Sequence, residues 1–128
     1  MTKLTNKIIG KYKGNFNHKK GESLFNLKIF KYNPKTKLFL AECNDEFGNS
    51  SIIGAIDFSF NTIKFDKYYL IENYPFVLDN YKEGLFYENM FRKIFFVGSF
   101  TGERLHFGGD YFYPGVSESS GDWNMIKV

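Results

Sequence analysis

The sequence predicts an all-β chain, a single antiparallel up-and-down β-barrel of about eight strands, and three observations carry that prediction. Apolar and polar residues alternate nearly everywhere along the 128 residues, and no 3.6-residue stripe runs longer than two turns. Phe 16, Tyr 9 and Trp 1 make the chain 20% aromatic, while it holds only two alanines (Ala41, Ala55) and no glutamine, a composition suited to strands and poor for helices. Glycines recur inside the candidate strands at Gly10, Gly14, Gly54, Gly98 and Gly109, where a tightly curved wall needs positions without a Cβ. A sandwich would account for the strands but not for these glycines. The length suits one domain, residues 1–128.

The elements follow in order. Ile8 to Phe16 puts Ile8, Tyr12 and Phe16 on one face and Lys11 and Lys13 on the other, and the stretch around Gly21 turns the chain. Ser23 to Tyr32 alternates Phe25, Leu27 and Ile29 with Asn26 and Lys28, and Asn33-Pro34 ends it with turn chemistry. Lys37 to Cys43 and Ser51 to Phe60 flank a turn over Asn44 to Asn49. Thr62 to Ile71 aligns Ile63, Phe65, Lys67, Tyr69 and Ile71 on one face, which sets a lysine among apolar and aromatic neighbours. Glu72 to Lys82, broken by Pro75, reads as the longest loop. Further strands are expected over Gly84 to Met90, Lys93 to Thr101, Arg104 to Tyr113 and Asp122 to Val128.

Charge and composition exclude several function classes. Fifteen lysines and two arginines against 14 acids leave a net charge of +3, spread with no basic block longer than Lys19-Lys20, which is not the footprint of a nucleic-acid binder. Lys93 to Phe100 is similar to the short RNP2 strand of an RNA-recognition motif, but no RNP1-like partner segment and no backing helices accompany it, so a buried strand is expected. No apolar run approaches the roughly 18–20 residues of a membrane span, and Gly10, Lys11 and Lys13 interrupt any signal-peptide core. The expected location is the cytoplasm, where a single cysteine, Cys43, serves as a small apolar filler. His18 and His106 lack metal-ligand spacing, so neither metal nor cofactor is expected, and no catalytic signature stands out.

Three segments carry a family resemblance. Ile9-Gly10-Lys11-Tyr12 resembles the Gly-x-Trp entry to the first strand of lipocalins and avidins, the calycin-type barrels, with tyrosine in the Trp place. Phe96-Val97-Gly98-Ser99-Phe100 and Gly121-Asp122-Trp123 resemble the later Gly-x-aromatic strands of such barrels. The resemblance implies an avidin-like meander, because no helical lid separates the first two strands and the chain ends in a strand. It does not imply biotin binding, since a tryptophan-rich box cannot be built from Trp123 alone.

An interior rich in tyrosine and phenylalanine, with a few convergent polar groups, is what a small-molecule site requires. The expected function is therefore non-catalytic binding of a small, partly apolar molecule, held by Tyr12, Phe65, Lys67, Tyr69, Tyr87, Phe96 and Trp123. Glu42 follows Leu38 and Leu40 on one face and is the expected interior carboxylate beside Lys67. The alternatives are a protein-interaction module of inhibitor or immunity type, working through Glu72 to Lys82 and Tyr113 to Gly121, and then an enzyme using Lys67 or His106. Nothing in the sequence signals an oligomeric state.

Overall fold

The structure is a computed structural model that describes residues 7–19, 21–69, 94–101, 105–113 and 117–128, the side chain of Tyr69 excepted. Eight strands form: β1 (Gly10–His18), β2 (Gly21–Tyr32), β3 (Leu38–Asp45), β4 (Gly48–Asp57), β5 (Thr62–Tyr69), β6 (Ile94–Thr101), β7 (His106–Phe112) and β8 (Gly121–Lys127). Each pairs antiparallel with the next, and β1 pairs with β8, so the sheet closes into a barrel in simple chain order. Closure removes every free strand edge within the wall.

The period-two pattern decides which way each side chain points. Ser23, Phe25, Leu27 and Ile29 of β2 are buried while Leu24, Asn26 and Lys28 face out. Phe30 continues the outward alternation, 51% exposed, and the β2–β3 register shifts between Ile29 and Lys31, a bulge that leaves Lys31 outside as well. On β3 the inward residues are Phe39, Ala41, Cys43 and Asp45. The expectation that Leu38, Leu40 and Glu42 face the interior is therefore reversed: Glu42 is exposed and Leu38 is 51% exposed. Both faces of this strand carry apolar residues, so alternation alone left its parity open, and burying Phe39 removes more apolar surface than burying either leucine.

Asx chemistry makes three of the turns. Asn33 Oδ1 accepts from Lys35 N at 2.9 Å between β2 and β3, Asp45 Oδ1 from Phe47 N at 2.8 Å between β3 and β4, and Asp57 Oδ1 from Ser59 N at 2.8 Å between β4 and β5. The third expected strand thus continues two residues past Cys43, and the fourth stops at Asp57, short of Phe60. The wall runs directly from β5 to β6, pairing Phe65 with Phe96. The expected loop Glu72 to Lys82 and strand Gly84 to Met90 lie outside the described residues.

Side chains fill the barrel. Trp123, Tyr12, Tyr111, Phe39, Phe107 and Met125 are each no more than 2% exposed, which leaves no water-sized space against them. Inner glycines make room for the largest of them: a Cβ on Gly98 would strike the Gly108 carbonyl and come within 3.1 Å of the Trp123 ring. The indole Nε1–H donates to Val97 O and Asp110 O, both at 3.1 Å, so its polar atom is satisfied by the same two strands.

Candidate functional site: an ion-paired mouth and an outer groove

Four of the residues expected to line a site do meet. Phe65 stacks on Phe96 with centroids 4.6 Å apart, and Trp123 stands edge-on to both, at 5.3 and 5.7 Å. Lys67, further along β5 on the same face, points its ammonium over the rings of Phe16 at 5.0 Å and Phe96 at 6.0 Å. Tyr12 lies toward the other end of the barrel, where its hydroxyl donates to Ile8 O at 2.6 Å and its ring meets Phe107 edge-on. Tyr69 shares the β5 ladder but its side chain is not described, and Tyr87 lies outside the described residues.

The carboxylate beside Lys67 is Asp45, not Glu42. Lys67 Nζ donates to Asp45 Oδ2, with the two side chains 3% and 0% exposed. Removing two charges from water costs several kcal/mol per ion before their attraction offsets it, and here hydrogen bonds hold the geometry. Asp45 serves two elements, since Oδ1 accepts the Phe47 amide that shapes the β3–β4 turn while Oδ2 meets the lysine. Sequence reasoning missed Asp45 by ending the strand at Cys43. The available signal was the Phe39-x-Ala41-x-Cys43-x-Asp45 alternation read on through the turn.

More polar residues gather at this mouth, formed by the ends of β1, β3 and β7 and the starts of β2 and β4. Ser23 Oγ donates to Glu46 Oε1, and His18 Nε2 lies 2.8 Å from the same Oγ and 3.8 Å from Glu46. A serine, a histidine and an acid in contact invite comparison with a hydrolytic triad, but the order is wrong. The serine proton goes to Glu46, so Nε2 must donate to the hydroxyl and is not available to deprotonate it. Ser23 is also only 2% exposed. The trio ties the β1–β2 turn to the β3–β4 turn, and Phe47, 4% exposed, packs between them against Phe16 and His18. Burial raises the Tyr111 hydroxyl pKa well above its ordinary value, and that hydroxyl donates to Asn17 O. Among the described residues no His, Cys, Asp and Glu group has the arrangement of a metal site.

Away from the mouth, the outer wall of β1–β4 carries a groove of about 660 Å³. Lys11, Lys13, Asn26, Lys28, Glu42, Asn44, Asn49 and Ser51 rise from it, and Val128 borders it. The register sets them in two rungs: Lys13, Asn26, Asn44 and Asn49 in one, and Lys11, Lys28, Glu42 and Ser51 in the next. Asn44 Nδ2 donates to Asn49 Oδ1 at 2.6 Å. Next along the same wall, Leu40 faces Ile53, and Phe30, Leu38 and Ile53 are each 51% exposed. From the sequence, Lys11, Lys13, Asn26 and Lys28 are expected opposite the apolar faces, while Leu38, Leu40 and Glu42 are expected inside.

No protein-family model, no curated protein and no solved structure matches this chain. No described helix is long and apolar enough to cross a membrane. The outer wall itself places lysine and asparagine at mid-strand, where a membrane barrel needs an apolar band.

Proposed function

We propose that this chain is a non-catalytic protein-interaction module that works through the outer wall of β1–β4. One observation carries the reading: the barrel is filled by its own side chains, while its wall presents a 660 Å³ groove beside exposed apolar residues. Scattered surface leucines are ordinary, but Phe30, Leu38, Leu40 and Ile53 adjoin one another next to a concavity. This reading differs from the sequence-based one, which puts the working surface on the loops Glu72 to Lys82 and Tyr113 to Gly121; the groove is what supports the wall.

A second reading has its own support. The Lys67–Asp45 pair, set between Phe16 and Phe96 at one mouth, favours a small, partly apolar ligand at that end. The eight-strand meander closed first-on-last also supports a calycin-like kinship, and a buried, unbridged Cys43 suits a cytoplasmic setting.

Two variants separate the readings. Ser51→Trp fills the groove, and Lys67→Met removes the charge at the mouth. In capture from a lysate of the native host, the interaction reading expects a stoichiometric protein partner to be lost with Ser51→Trp and kept with Lys67→Met. A partner retained by Ser51→Trp, together with a small molecule in native mass spectra that disappears with Lys67→Met, would overturn it in favour of the second.

A further inference from the structure

We propose that the outer groove receives an extended polypeptide segment bearing both carboxylates and apolar side chains. This rests on the reading of the wall as the working surface and adds the chemistry of the partner. The charge comes first. Lys11 and Lys28 sit directly opposite each other in the β1–β2 register, with Lys13 on the neighbouring rung, and Glu42, the one acidic side chain lining the groove among the described residues, faces Lys28 from β3 and leaves the three lysines in excess. Like charges held opposite on a sheet repel, and a carboxylate laid between them converts that repulsion into two attractions.

The amides point to a polypeptide. Asn26, Asn44 and Asn49 are successive neighbours across β2, β3 and β4. The Asn44–Asn49 hydrogen bond fixes that end of the row, and the amide side chain of Asn26 beside it carries the same N–H and C=O groups as a peptide bond, the chemistry that matches a polypeptide backbone. The apolar shelf narrows the class again. Leu40 and Ile53 lie one rung beyond Glu42 and Ser51, with Leu38 and Phe30 beside them, where an acidic segment without apolar residues would leave them wet.

The barrel's closure sets the mode of docking. No strand edge is free within the wall, so a partner cannot add as a further strand and must be read by side chains alone. Lying across four strands spaced about 4.8 Å apart, it spans roughly 15 Å, which is about four or five extended residues.

The test uses fluorescein-labelled Glu-Leu-Glu-Leu-Glu-Leu-Glu, with heptaglutamate and Lys-Leu-Lys-Leu-Lys-Leu-Lys as companions, read by fluorescence anisotropy at low and high salt. The glutamate–leucine peptide is expected to bind, with affinity falling as salt rises. Lys28→Glu and Ile53→Asp should each weaken it by about tenfold or more, whereas Ser99→Glu, on β6 across the barrel, should not. Heptaglutamate binding as tightly and indifferently to Ile53→Asp would overturn the proposal in favour of a plain polyanion surface. Equal binding of the lysine peptide, or no binding of the glutamate–leucine peptide, would overturn it as well. If the peptide fails while partner capture remains sensitive to Ser51→Trp, the chemistry is wrong and the working surface stands; if capture ignores Ser51→Trp, the surface itself is wrong.

Discussion

At the scale of single residues, Lys67 and Asp45 are the most consequential pair in the interior. Lys67→Met leaves the Asp45 carboxylate buried without its cation, and a loss of about 3–5 kcal/mol is expected in chemical denaturation. Adding Asp45→Asn should recover most of that loss, because an asparagine Oδ1 still accepts the Phe47 amide while no charge remains buried. A double variant no more stable than the single one would mean that the pair is not what the lysine stabilises. Tyr12 and Tyr111 give a second prediction. Burial holds both hydroxyls above their ordinary pKa of 10.0, so the folded chain keeps protons that the unfolded chain releases. Their contribution is intact below about pH 10 and is lost as the pH climbs further. In an absorbance titration of the nine tyrosines, a fraction should ionise only together with unfolding. Smooth ionisation of all nine on a folded barrel would contradict this. The lysine was legible as an anomaly from its alternation with Ile63, Phe65 and Tyr69. Its partner was not, because Leu38 and Leu40 made the wrong face of β3 look internal.

Individual strands were read well wherever one face was plainly more apolar. On β2, Phe25, Leu27 and Ile29 against Asn26 and Lys28 leave one choice of parity, and that is the face the barrel buries. On β3 both faces carry apolar residues, and the outcome follows from the register that sets Ala41, Cys43 and Asp45 opposite Ile29, Leu27 and Phe25, and from Phe39 meeting Phe65 at 6.2 Å. Turns were legible by type at Asn33-Pro34, while Asp45 was missed because a residue that forms the turn also extends the strand past its expected end at Cys43. Glycine within a strand is the clearest sequence sign of curvature, and Gly98 tests it. Gly98→Ala should cost about 1–3 kcal/mol by overpacking and should shift Trp123 emission, since the new methyl meets both the Gly108 carbonyl and the indole. An unchanged emission spectrum and stability would show that this strand has room the structure does not give it.

For the whole molecule, closure is the organising fact. Five consecutive pairs from Tyr12–Lys127 to Phe16–Trp123 join the first strand to the last, so β8 seals both β1 and β7. Deleting residues 121–128 exposes two edges and removes Trp123 and Met125 from the core, and the expected result is an aggregating chain without a cooperative unfolding transition. A soluble, cooperatively folding truncation would show that the wall does not need its last strand. In the intact chain, Trp123, 2% exposed, should emit at the blue end and move red on unfolding. The sequence by itself determined the all-β class, an approximate strand count, the inward faces of β1 and β2, and the alignment of Lys67 with Ile63 and Phe65 on one face of β5, because these follow from residue type and a period of two. Tertiary structure alone decided which carboxylate answers that lysine, that the interior is filled, and that the groove lies outside. Those outcomes depend on register between strands far apart in the chain and on the volumes meeting inside the barrel, and alternation along one strand carries neither.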